Sequence, residues 1–128
     1  KNHLATPCQI HMKNGIVGQF YYEDIPSLQK RDDVTLLDTR TVYEYMRGHA
    51  EGFINIPVDE LRERLAELDK SKPVYVMCQS GLRSYLATRI LMQNGFDAYN
   101  FAGGYRLYGT MYYDEVVSKN AYDCGMEK

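Results

Sequence analysis

Residues 75–86, YVMCQSGLRSYL, bring a thiol, two side-chain hydrogen-bond donors, a glycine and an arginine together. An apolar run ends in Cys78, and Gln79, Ser80, Gly81, Leu82 and Arg83 follow before a helical pattern starts. The six residues from Cys78 to Arg83 can curl into a cradle, with Gly81 free to take a positive φ. Successive backbone N–H groups then point inward, as they do in anion-binding nests and at helix N-termini. A sulfur anion in such a cradle is stabilised, so the thiol pKa is expected below its free value of about 8.5. Arg83 adds a fixed positive charge. The set suits a thiolate nucleophile, or a persulfide whose outer sulfur carries the charge. The competing reading is an inert thiol ending a core strand, because free cysteines are commonly buried. Packing needs neither the Gln-Ser-Gly run nor the arginine, so the reactive reading is adopted.

No histidine can be assigned as a general base for this thiol. His3 and His11 fall in an irregular leader and only His49 lies in the body of the chain. The cradle itself would have to activate the sulfur. The three cysteines, Cys8, Cys78 and Cys124, are far apart and form no C-x-x-C pair. Neither a metal site nor a disulfide framework is expected, and the setting is read as reducing and cytoplasmic. Cys8 and Cys124 could resolve a persulfide as a disulfide, but incidental terminal thiols are the simpler reading. A net charge of −2 gives no argument for nucleic-acid binding. The apolar runs are too short to span a membrane, and the first residues lack the apolar stretch of a secretory signal.

The elements that must position Cys78 follow from periodicity. With 128 residues, 45% of them hydrophobic and 25% charged, the chain can bury one core. GQFYYEDI (18–25) and DVTLLDTR (33–40) read as strands, and the second ends its apolar run at Asp38. Thr41 and Glu44 have the spacing of a capping box, which predicts a short helix closed by Gly48. GFINIP (52–57) is a brief strand. DELRERLAELDK (59–70) places Leu61, Leu65 and Leu68 on one face, with Glu60 and Arg64 paired on another, and predicts an amphipathic helix. KPVYVMC (72–78) reads as a buried central strand and SYLATRILMQNG (84–95) as a helix stopped by Asn94-Gly95. DAYNFAGGY (97–105) gives a last strand and a Gly-Gly turn, and the segment after it is helical in part. This alternation predicts an α/β fold: a small, mostly parallel sheet with helices on both faces. Sites in such folds lie at the carboxyl ends of strands, where Asp38, Cys78 and the Gly103-Gly104 turn all fall.

These residues also resemble a known family. LLDTRTVYEYMRGHAEGFINIP is similar to the first signature of rhodanese (sulfurtransferase) domains, VYVMCQSGLRS to their active-site strand and loop, and NFAGGY to a segment near their C-terminal end. The resemblance covers roughly residues 19–108, with the three elements in the expected order. CQSGLRSYLATRILMQNGFDAYNFAGGY is most similar to the rhodanese domain at the C-terminus of coenzyme A-disulfide reductases, which belong to the pyridine nucleotide-disulfide oxidoreductases. Some of these act as coenzyme A persulfide or polysulfide reductases. The resemblance implies a leader over 1–18, a domain over 19–113 and a tail or linker over 114–128. The start at Lys1 fits excision from such a fusion. This domain would hold no cofactor; FAD and NAD(P)H would belong to the fused reductase module, since no Gly-x-Gly-x-x-Gly occurs here.

Residue by residue, the resemblance implies that Cys78 accepts sulfane sulfur as a persulfide. The backbone from Gln79 to Arg83 would hold the transferred sulfur, with Gln79 and Ser80 donating side-chain hydrogen bonds. Arg83 would bind an anionic donor or acceptor such as thiosulfate, a polysulfide or coenzyme A persulfide. Asp38 and Arg40 would shape the mouth of the site, although an aspartate capping local N–H groups and pairing a cation is the plainer role. Arg47 and His49 could add positive potential, or simply compensate a helix dipole. Gly103 and Gly104 would allow a tight turn close to the cysteine loop.

Two other functions compete. Phosphatases and arsenate reductases of the dual-specificity class use Cys-x5-Arg, a loop wide enough for a tetrahedral oxyanion. Here the spacing is Cys-x4-Arg, which better suits a single sulfur atom. A silent regulatory domain is the other alternative, and the presence of Cys78 argues against it.

Overall fold

The computed structural model describes residues 17–112. Most of the predicted leader, the tail, and with them Cys8 and Cys124, lie outside the described residues. Five strands form one sheet in the order β1-β5-β4-β2-β3, and every neighbouring pair is parallel. They are β1 (Gly18–Phe20), β2 (Thr35–Asp38), β3 (Ile54–Asn55), β4 (Val74–Met77) and β5 (Ala98–Phe101). The helices are α1 (Ile25–Gln29), α2 (Val42–Met46), α3 (Leu82–Gln93) and α4 (Gly104–Met111). This is the α/β arrangement predicted from the alternation.

The central position of β4 follows from its apolar faces. Tyr75 and Met77 pack on one side with Phe20, Ile25, Leu28 and Tyr108, so α1 and α4 cover that face. Val74 and Val76 pack on the other with Ala87, Ile90 and Leu91 of α3. All four β4 residues are buried, as a strand covered by helices on both faces must be. The register pairs Asp38 with Met77, and Thr39 N donates to Met77 O at 2.8 Å. The carboxyl ends of β2 and β4 therefore finish level, one residue short of Cys78.

The amphipathic helix expected over 59–70 is not an α-helix. Two 3₁₀ segments, Val58–Glu63 and Leu65–Glu67, replace it, broken at Arg64 (φ −116°). Leu61 and Leu68 still enter the core, with Leu65 packed against it, so the apolar face was read correctly and the helix type was not. The segment must return from the carboxyl edge of β3 to the amino edge of β4. A 3₁₀ rise of about 2.0 Å per residue covers that distance in fewer residues than the α rise of about 1.5 Å. Arg64 ties the break together, bonding Glu60 and Glu67 at 2.8 Å each.

Other boundaries shift in the same physical sense. The strand expected over 18–25 ends at Phe20, because Tyr22–Asp24 form a 3₁₀ turn that leads into α1. α3 begins at Leu82, so Leu82 and Arg83 belong to the first helical turn rather than to the loop. The predicted capping box of α2 is present: Thr41 Oγ1 accepts from Glu44 N at 3.1 Å, and Glu44 Oε1 accepts from Thr41 N at 2.9 Å.

Candidate active site

Cys78 is the first residue after β4 and is fully buried (0% exposed). Gly81 N donates to its Sγ at 3.0 Å, closing the loop on the sulfur. Gly81 has φ +112°, and a Cβ there would meet Ala102 O at 2.2 Å. Glycine is therefore required twice over, by conformation and by space. The turn after β5 supports the loop from behind: Tyr105 N donates to Cys78 O at 2.6 Å and Arg106 N to Gln79 O at 3.1 Å.

Burial pushes the thiol pKa up, yet the net direction is downward. Hydrogen bonds from the Ser84 hydroxyl and amide, and from the amides of Gly81 and Ser80, outweigh desolvation. Ser84 is fully buried in the first turn of α3, and its Oγ also reaches Gly81 O at 3.2 Å. Sequence reasoning missed it, treating Ser84 as the start of a helical pattern. Its place directly after Arg83 is the signal that could have found it, because that is where a first-turn side chain faces back toward the strand end. Replacing Ser84 by Ala is expected to raise the pH midpoint of Cys78 alkylation and to slow the reaction several-fold below neutral pH. An unchanged iodoacetamide pH–rate profile would remove Ser84 from the site.

The remaining predicted residues do not all meet at the sulfur. Asp38, fully buried, accepts from Arg40 N and Nε at 3.0 Å and from Arg40 Nη2 at 2.8 Å. Arg40 in turn donates to Gly48 O at 2.8 Å and to Gln79 Oε1 at 3.3 Å, and its guanidinium lies 4.2 Å from the centre of the Tyr105 ring. One buried ion pair thus links the end of β2, the end of α2, the cysteine loop and α4. The Gln79 side-chain carbonyl is spent on Arg40, which leaves only the Gln79 amide as a donor. Leu82, by contrast, is 67% exposed.

Arg83 does not lie free beside the sulfur. Its Nη1 and Nη2 bond Glu44 Oε1 and Oε2 at 2.8 and 3.0 Å. Glu44 was read only as a helix cap. Nothing in the sequence relates it to a residue 39 positions on. The hydrogen bond from Arg83 holds the Glu44 pKa at about 2, against the usual 4.5. A lowered carboxyl pKa contributes stability above the unfolded value and loses it as pH falls through the folded one. Wild type is therefore expected to exceed Glu44→Gln in urea midpoint above pH 4.5, with the gap closing toward pH 2. Urea titrations across that range check it.

Arg47 and His49 make their hydrogen bonds within their own segment. Arg47 Nη1 donates to Tyr43 Oη at 2.9 Å, and His49 Nδ1 lies 2.9 Å from Tyr45 O with its ring stacked on Tyr45 at 3.7 Å. Arg47 nonetheless lines a cavity of about 200 Å³ with Arg40, Glu44, Gly48, Gln79 and Tyr105. Of the two glycines, Gly103 has an ordinary φ of −74°. Gly104 is the one that allows the close approach, with φ +68° and Gln79 O at 2.4 Å from where a Cβ would stand. Among the described residues no group of three or more His, Cys, Asp or Glu could hold a metal. No helix among them is long and apolar enough to cross a membrane.

Residues 22–110 match the family model of the rhodanese-like domain. The chain belongs to the rhodanese-like family. Among solved structures, this rhodanese-like chain is 38% identical to reduced Bacillus anthracis CoADR-RHD, with a TM-score of 0.75 over 80% of this chain and 18% of that one. It is 34% identical to an NAD-dependent persulfide reductase from A. fulgidus, with a TM-score of 0.55 over 75% of this chain and 16% of that one. Among curated proteins it is 34% identical over 92 residues to a tRNA uridine(34) hydroxylase of Cytophaga hutchinsonii, a match covering 67% of this chain and 30% of the relative. The chain spans 60% of the length of one curated relative and 26–35% of three others.

Proposed function

We propose that this rhodanese-like chain is a sulfurtransferase domain that carries sulfane sulfur as a persulfide on Cys78. The observation that carries the reading is the Cys78 sulfur held 3.0 Å from Gly81 N at the base of a Cys-x4-Arg loop. With thiosulfate, the thiolate attacks the outer sulfur. A sulfur–sulfur bond forms to Cys78, the bond within thiosulfate breaks, and sulfite leaves with the electron pair. An acceptor thiolate or cyanide then takes the outer sulfur and restores the Cys78 thiolate. The inward amides stabilise whichever sulfur bears the negative charge, so no histidine base is needed, which accords with His49 being stacked on Tyr45.

In this reading the domain passes sulfane sulfur to or from a fused reductase module bearing FAD and NAD(P)H, with thiosulfate, a polysulfide or coenzyme A persulfide as donor or acceptor. Support comes from the two reductase-linked structural neighbours, CoADR-RHD and the persulfide reductase. The domain itself would hold no cofactor and would work in a reducing, cytoplasmic setting. The phosphatase reading is less favoured because the loop is one residue shorter than Cys-x5-Arg. Intact mass after incubation with a sulfane donor tests the proposal. One added sulfur is expected on wild type and none on Cys78→Ser; addition to both would refute it.

A further inference from the structure

Three cations gather around the cysteine loop, and two of them are matched by carboxylates. Arg40 is neutralised by Asp38. Arg83 is neutralised by Glu44, which holds both of its terminal nitrogens. Arg47, at the rim, bonds a tyrosine hydroxyl instead. Arg83 is the cation that ends the Cys-x4-Arg loop, in the first turn of α3. Glu44 also lines the cavity beside Gln79, at the edge of the cysteine loop. A dianion that reaches Arg83 must displace Glu44 or sit beside a pair of no net charge.

We infer that Glu44 is a specificity-determining residue, which clamps Arg83 and so selects monoanionic sulfur donors, such as hydropolysulfides and thiosulfonates, over small dianions such as thiosulfate. The inference rests on the persulfide reading for its substrates, but not for its test. Opposite charges a few ångströms apart shift local potential enough to bias ligands differing by one unit of charge. Exposed partners weaken that bias as salt rises. The Glu44 and Arg83 side chains are 31% and 32% exposed, so the effect belongs to low ionic strength.

Glu44→Gln isolates the charge, because glutamine keeps the side-chain oxygen that accepts from Thr41 N in the capping box. With Cys8 and Cys124 both replaced by Ser, alkylation of Cys78 is measured with iodoacetate and with iodoacetamide, which differ in charge and little in shape. Glu44→Gln is expected to raise the iodoacetate-to-iodoacetamide rate ratio roughly fivefold at low salt. Arg83→Met is expected to lower it. A purely structural disturbance changes both rates alike and leaves the ratio where it was, and an unchanged ratio in Glu44→Gln overturns the inference. The same variant is expected to shift the kcat/KM preference from benzenethiosulfonate toward thiosulfate, mainly through KM. If wild type transfers no sulfur from either donor, the persulfide reading fails while the alkylation ratio still decides the role of Glu44.

Discussion

Cys78→Ser is expected to reduce thiocyanate formation from thiosulfate and cyanide to the assay background, a loss on the order of 10³-fold or more. A serine hydroxyl in the same cradle can accept the Gly81 N–H now aimed at sulfur, so the loop keeps its shape. It cannot hold a sulfane sulfur, and no base is placed to ionise it. The change exchanges one buried sulfur for oxygen and touches neither core cluster, so the fold is expected to survive and circular dichroism should match wild type. Equal thiocyanate production by both proteins would sink the persulfide mechanism. Turnover of an aryl phosphate that depends on Cys78 would transfer the site to the phosphatase reading.

Gly104→Ala is expected to be strongly destabilising. The residue has φ +68°, and the new Cβ would stand 2.4 Å from Gln79 O, 2.5 Å from Gln79 C and 2.8 Å from Cys78 O. None of these is a side-chain atom that could swing away. Left-handed backbone for a residue with a Cβ costs about 1–2 kcal/mol, and forced overpacking typically adds about 1–3 kcal/mol. The sum lowers Tm by roughly 10 °C or more in a domain of this size. The surviving folded protein should also alkylate abnormally at Cys78, because the Tyr105 N–H that bonds Cys78 O must move. Gly109→Ala is the control: a Cβ there meets nothing within 4 Å, and it lies inside α4. That variant should be neutral or slightly stabilised, by up to about 1 kcal/mol. If thermal scans put both variants together, the close packing of the turn on the cysteine loop is not a constraint.

Much of this architecture can be read from spacing along the chain. Thr41 and Glu44 announced the start of α2, and the apolar run 74–77 announced a strand covered on both faces. Each is a local pattern, in which neighbours in sequence are also neighbours in space. Leu61, Leu65 and Leu68 mark the limit of such patterns. Apolar periodicity reports which side of a segment is buried, and here that side is buried, but it does not report the rise per residue that separates 3₁₀ from α.

At the site, the division follows the same physics. The thiol at a strand end, the glycine at Gly81 and the Cys-x4-Arg interval are all contained within six residues. They are enough to predict a cradle for a sulfur anion, because a glycine free to take positive φ lets successive backbone N–H groups turn inward. What Arg83 touches is a different matter. Its spacing from Cys78 suggested a cation waiting for an anion, whereas packing of α2 against the start of α3 places Glu44 on both of its terminal nitrogens. Likewise, only the parallel register of β2 with β4 sets the Asp38–Arg40 pair beside Gln79, and only the β5–α4 turn brings Gly104 against the loop. Chemistry within one loop is legible because covalent connection keeps its residues together. The charge balance around that loop is decided by residues about forty positions away, which only the closed sheet and its helices bring into contact.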